Sequence, residues 1–297
     1  MMGASFAAEL LKLRKRPAAW VLGGIWLAFM ILIAYALPYA LYANLPEPSV
    51  PDDAPAEVQS EIQAQNEAAS EQLMSQLYPE NLTSYVLSGF SGTGGTLALI
   101  LGAMFAGSEY GWGTLKTVLS QRAGRLGAFF GKMLAIGAAL AVFVVLAFVA
   151  GAVCSLVVAG LQGASVGFPS LTELLEALGA SALILAVWAA LGVFLATLMR
   201  STALAIGLGL FYALALEGLI FGLPISNEGF QKARQFFVGQ NSNFLVNSFG
   251  SGSLQQNLAL SSASDVGAVQ STLVLCAYLV VFLLVSALIF WQRDVTT

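Results

Sequence analysis

The sequence contains no histidine and very little charge. Of its 297 residues, 9% are Asp, Glu, Lys or Arg, while 58% are hydrophobic. A water-soluble domain usually carries roughly 25% charged residues. So few charges cannot cover a surface facing water, and lipid is therefore the expected solvent for most of the chain. The missing histidine excludes a Ser-His-Asp triad, a Cys-His pair and any histidine-ligated zinc or haem. Cysteine is almost as scarce. Cys154 and Cys276 both lie in apolar runs and read as small buried hydrophobes, because the sequence offers no partners for a disulfide or metal site. A phosphate-binding loop is also missing. The run from Gly89 to Thr96 is rich in glycine but lacks the Lys-Ser/Thr ending that would hold phosphate and magnesium. Its small residues suit close helix packing instead. Gly127 and Gly131 form a GxxxG spacing at the start of the third span, a pattern common by chance.

What the chain has in abundance is long apolar runs. A stretch of about 18 or more apolar residues reads as a spanning helix. Five such runs are clear: 17–43, 83–107, 133–160, 177–199 and 266–291. A sixth, 202–223, is interrupted by Glu217. The fold class expected is an all-α polytopic membrane protein with six transmembrane helices in a single transmembrane domain. The first run is too long for the apolar core of a cleaved signal peptide, so it is expected to remain as a span.

Orientation follows from Lys and Arg, which favour cytoplasmic loops. With the N-terminus inside, Lys12, Arg14, Lys15, Arg16, Lys116, Arg122, Arg125, Lys132, Arg200 and Arg293 all fall on the cytoplasmic side. Only Lys232 and Arg234 fall outside. Both termini are therefore expected in the cytoplasm.

Three segments flank the spans. Residues 4–16 have the pattern of an amphipathic interfacial helix. Phe6, Ala7, Leu10, Leu11 and Leu13 share one arc, and Glu9, Lys12, Lys15 and Arg16 the other, with Arg14 snorkelling from the apolar side. Ordinary positive-inside flanking charge is the alternative. The outer segment 45–82 is acidic, and Asp52 or Asp53 is placed to cap a helix from about Ala54 to Leu77. Val58, Ile62, Ala69, Leu73 and Leu77 form a narrow stripe on it, suiting either a small external cap or a solvated hairpin. The outer segment 224–265 carries Phe230, Phe236, Phe237, Phe244 and Phe249, too apolar for a free loop. They suggest packing against the outer membrane face or a re-entrant turn.

Two acidic residues call for explanation. Glu217 lies within the sixth-found run, where a mid-bilayer charge costs on the order of 3 kcal/mol. A place on a substrate pathway and a purely structural role are both open. Glu109 ends the second run on the cytoplasmic side, within reach of Lys and Arg. Beyond it, residues 108–132 form a compact basic loop with glycines at its start. Physically this is a docking element for a soluble partner or simply a basic loop.

The run Glu109-Tyr110-Gly111-Trp112-Gly113-Thr114-Leu115-Lys116-Thr117-Val118-Leu119-Ser120-Gln121, followed by Arg122, resembles the loop after the second span in permease subunits of type-2 ATP-binding-cassette exporters. The segment "ELLKLRKRPAAWVL" resembles their connector helix, and "FWQRDV" their inner C-terminal end. The acidic segment 45–82 is longer than that family's pattern. The resemblance implies a permease that pairs with a second permease chain, identical or not, and with cytoplasmic ATPase subunits that bind the ATP. It implies no cofactor and no catalytic residue on this chain, and the plasma (inner) membrane of a prokaryote as its location. It implies a coupling role for Glu109, Gly113, Thr114, Leu115, Lys116, Val118, Leu119 and Arg122. An ion-gradient-driven transporter and a membrane-anchored structural or sensory protein are the competing classes. The first would want several intramembrane ionisable groups, and this chain offers mainly Glu217.

Overall fold

The computed structural model describes residues 2–15, 17–43, 55–111, 125–217, 219, 229, 232, 235–250 and 267–292. Among them there is no strand. Five helices are long and apolar enough to cross a membrane: Ala19–Ala43, Pro79–Ser108, Leu126–Gln162, Leu171–Met199 and Ala268–Gln292. Thr202–Leu216 is apolar but shorter. The expected continuation of that helix to residue 223 lies largely outside the described residues.

In chain order the elements begin with α1, Met2–Lys15. The first span, α2, joins an α-helical stretch Pro17–Phe29, a π-helical stretch Met30–Ala36 and an α-helical stretch Leu37–Ala43. A helix between the first two spans, α3, covers Ala56–Ser75. The second span, α4, joins Leu82–Gly89, a π-helical stretch Phe90–Gly94 and Gly95–Gly111. Then come α5, Arg125–Gln162, and α6, Leu171–Met199. Helix α7 joins Thr202–Leu210 to a π-helical stretch Phe211–Leu216. A short helix, α8, covers Val238–Asn247, and α9 covers Ala268–Gln292.

Helix α6 is the central post. Sixty-one per cent of its apolar window is buried, against 17% for α2 and α9. Its start is set by an N-cap: Ser170 accepts from the Glu173 amide at 3.2 Å, while the Thr83 hydroxyl ties the Glu173 carboxylate to α4 at 2.7 Å. Its end is set by Arg200, whose φ of 54° takes the chain out of the helix. Ser201 then caps α7 by accepting from the Leu204 amide at 3.3 Å.

Glycine brings α4 against α6. A Cβ on Gly102 would overlap the Ala189 carbonyl, and one on Gly192 would overlap the Leu99 carbonyl. Gly95 is filled from the other side by the Trp188 indole, 2.6 Å from where a Cβ would sit. The backbones touch because nothing larger than hydrogen intervenes, which is how helices gain contact area in lipid. Helix α7 joins the same seam: Gly209 receives the Leu99 side chain and Gly107 lies against Thr202.

On the other side of α4, Trp26 stacks on Phe90 at 5.2 Å and meets Phe143 of α5 at 4.7 Å. Tyr85 donates to the Ala34 carbonyl inside the π-stretch of α2. A side chain inserted into a helical ladder is a recognised cause of local rewinding.

The flanking segments differ from their expected faces. Helix α1 lies along α5, where Gly131 admits Ser5; no heavy atom lies within 4 Å of a Cβ on Gly127. Glu9, expected on the polar arc, is 8% exposed and receives Lys12 Nζ at 2.6 Å, while Leu10 and Leu11 stay exposed, as the apolar face of an interfacial helix would be. The close Gly131 contact turns the Ser5–Glu9–Leu13 line towards α5. Helix α3 has Pro55 before it and no side-chain cap, and Asp52 and Asp53 lie outside the described residues. Its stripe is anchored only at the C-terminal end, where Met74 and Leu77 enter the core while Val58 stays exposed. In the segment 224–265 the buried face belongs, among the described residues, to Val238, Leu245 and Val246, with Asn241 and Ser242. Phe236 is exposed, Phe249 is partly buried against the core, and Phe230 lies outside the described residues.

Candidate functional site

The three π-helical stretches give the site its setting. Each shifts the side chains after it around the helix axis, and such turns occur frequently at functional sites. Those of α4 and α7 contribute directly to a cavity of about 510 Å³ between α2, α4, α6, α7 and α8. Ile25, Trp26 and Phe29 form the α2 wall, just before its own π-stretch. Ser91, Gly92, Thr93, Thr96 and Leu97 form the α4 wall, and Trp188 comes from α6. Ala213, Leu214 and Glu217 close the α7 side, and Gly239 and Asn243 come from α8. The volume suits a drug-sized molecule, and the few polar groups on apolar walls follow the usual pattern of a ligand site.

The hydroxyls of the α4 wall are turned back onto their own helix. Ser91 donates to the Ser88 carbonyl at 3.1 Å, Thr93 to Gly89 at 3.1 Å and Thr96 to Gly92 at 3.0 Å. Trp26 Nε1 donates to Thr93 Oγ1 at 3.3 Å. The Trp188 indole, 3% exposed, has no hydrogen-bond partner for its Nε1–H.

Glu217 has a definite structural task. Helix α8 begins without a side-chain cap of its own. The Gly239 amide donates to Glu217 Oε1 at 3.0 Å. The Tyr212 hydroxyl hydrogen-bonds Glu217 and accepts from the Val238 amide. Two residues of α7 thus satisfy the first amides of α8, where a carboxylate also complements the helix dipole. Gly239 is required there, because a Cβ would overlap Glu217 Oε2. Glu217 also lines the cavity, so the capping role and a place on the cavity wall coexist in one side chain.

Of the residues expected to couple to a partner, Glu109 lies on the last turns of α4. Gly113, Thr114, Leu115, Lys116, Val118, Leu119 and Arg122 lie outside the described residues. The cavity itself was not foreseen. Gly94 and Gly95 do pack as the glycine run suggests, against Phe90 and Leu185 and against Trp188, but no heavy atom lies within 4 Å of a Cβ on Gly92, which lines the cavity. The π-turn splits one run between two faces. Trp188 was also missed, although one indole among the small and aliphatic residues around it is a visible signal.

A second cavity of about 540 Å³ lies between α6, α8 and α9, with Glu173 and Glu176 facing Leu183, Leu245 and Phe249. Among the described residues no group of His, Cys, Asp and Glu is arranged to hold a metal ion.

Comparison with known proteins places this geometry. No curated protein matches the chain. Residues 4–295 match the family described as ABC-2 family transporter protein, a range that takes in most of α1, every span and the segments 45–82 and 224–265. The chain therefore belongs to the ABC-2 transporter family: it is a membrane-embedded ABC permease, a transport component without an ATPase domain of its own.

Proposed function

We propose that this chain is the permease subunit of an ATP-driven exporter and that the cavity at the α4 and α7 π-turns lies on its substrate pathway. The observation that carries this reading is the cavity itself, bounded where two spans change winding, in a chain of a transporter family. Substrate moves outward, and ATP is bound and hydrolysed by a separate cytoplasmic partner. Two permease chains pair in the plasma membrane of a prokaryote, and the chain needs no cofactor. Glu217 serves the pathway as well as α8.

The proposed topology has six spans, with Thr202–Leu216 extending to residue 223 as the fifth in chain order. Both termini are cytoplasmic. Cysteines introduced at Asn66 or Gln255 are expected to react with an impermeant thiol reagent applied outside, and those at Gln121 or Thr297 are not. Outside labelling of residue 121 would overturn this orientation.

The loop 108–132 is the proposed coupling element and residues 4–16 the connector. Leu115, Val118 and Leu119 supply an apolar anchor of the kind found at interface centres. Glu109, Gly113, Thr114, Lys116 and Arg122 shape and orient the loop around it. Leu115→Asp places a charge where desolvation is costly. The variant is expected to reach the membrane at normal levels but to lose the copurifying ATPase. Retention of a fully active ATPase by both Leu115→Asp and Glu109→Ala would remove this loop from the coupling path.

A further inference from the structure

The wall chemistry of the α4–α7 cavity is one-sided. Its three hydroxyls, Ser91, Thr93 and Thr96, spend their protons on their own helix and present only lone pairs. Among the described lining residues Glu217 is the only ionisable side chain, and both of its hydrogen bonds use the carboxyl as acceptor. Among the described lining residues there is no Lys or Arg. The aromatic rings of Trp26, Phe29 and Trp188 complete the enclosure, and ring faces attract cations. The donors on this wall are the Asn243 side-chain amide and the buried Trp188 Nε1–H, which packs beside Gly95 and has no partner among the described residues. A buried N–H left without a partner is uncommon and calls for one.

We propose that this cavity binds a lipophilic monocation that carries one hydrogen-bond acceptor. The cation lies near Glu217 and the aromatic rings, the acceptor takes the Trp188 N–H, and the apolar body fills the space beside Ile25, Phe29 and Leu214. An anion of the same size meets a carboxylate and three lone-pair donors, with no Lys or Arg among the described lining residues, so it is disfavoured. The inference rests on the pathway reading for its transport consequence and names the class of substrate.

The test uses the full-length protein in lipid nanodiscs, with binding measured above that of empty nanodiscs. Tetraphenylphosphonium and tetraphenylborate have nearly the same size and shape and opposite charge. The expected result is saturable binding of tetraphenylphosphonium that tetraphenylborate does not displace. Glu217→Gln, which keeps the shape and one acceptor oxygen for Gly239, is expected to weaken tetraphenylphosphonium about tenfold. Trp188→Phe separates the two contacts. It keeps an aromatic face, so tetraphenylphosphonium, which has no acceptor, weakens only by the small difference between an indole and a phenyl ring, while rhodamine 6G, a monocation with an ester carbonyl, weakens by about fivefold more. Equal binding of the borate, no saturable binding of the phosphonium, or wild-type affinity in Glu217→Gln would each overturn the inference. Equal weakening of both cations by Trp188→Phe would overturn the acceptor part. The charge comparison is made on the unmodified protein, so a misfolded variant does not leave the question open. Cation binding without ATP-driven transport of the same cations would refute the pathway and spare the ligand class. ATP-driven transport of other compounds, blocked by Thr96→Trp in a protein that binds no cation, would do the reverse.

Discussion

The two sides of α4 are built to opposite rules. Towards α6 and α7 its glycines bring backbone against backbone, and Ala98, Leu99 and Ala103 are almost completely buried. Towards α2 and the π-stretch of α7 the same helix rewinds, exposes Gly92 and Thr93 and borders a cavity. A seam without slack moves as one body, because a packed interface has few intermediate arrangements. A cavity edged by rewound turns has room to change shape. The contrast divides the bundle into a rigid post, α4–α6–α7 at its tight end, and a movable face.

The largest effect expected follows from breaking the seam. Gly102→Leu or Gly192→Leu drives a side chain into a facing carbonyl that cannot step aside. Overpacking a core typically costs about 1–3 kcal/mol, and a backbone obstacle belongs at or above the top of that range. Gly137→Leu, with no atom within 4 Å of its Cβ position, is expected to stay within about 0.5 kcal/mol of wild type. Thermal unfolding in detergent, followed by size exclusion, compares them. Equal stability of the three variants would show that the seam is not tight.

A smaller and local effect is expected at the movable face. Gly239→Ala displaces the Glu217 carboxyl and leaves the first amides of α8 unsatisfied. Losing a cap costs about 1–2 kcal/mol. Hydrogen exchange at 238–247 is expected to rise while that of 98–106 stays unchanged. A uniform rise over both would mean that the two regions are not separable.

The tight side was easier to read from sequence than the loose one. Apolar length gave the spans 17–43, 83–107, 133–160, 177–199 and 266–291 to within a turn or two at most ends, because lipid imposes length directly. The glycine run was legible as packing because small residues have few other uses within a span. The cavity was not legible. It depends on where a helix changes from α to π winding, and no single residue marks that change. Glu217 was visible as costly, but its partner Gly239 is separated from it by a stretch without a fixed period. The α1 face was misread at Glu9, since a helical wheel describes the helix alone and the neighbour at Gly131 decides its rotation.

The account stands or falls on whether the cavity changes access during ATP turnover while the seam does not. After replacing Cys154 and Cys276 with serine, single cysteines at Thr96 and Ala98 report on the two sides of α4. The measurement is the rate at which an impermeant thiol reagent, applied outside, labels each in the complete complex with its ATPase, with and without trapped nucleotide. The account predicts a change of about tenfold or more at Thr96→Cys, corresponding to roughly 1.4 kcal/mol in the opening equilibrium, and no labelling in either state at Ala98→Cys. Identical labelling of Thr96→Cys in both states would contradict it.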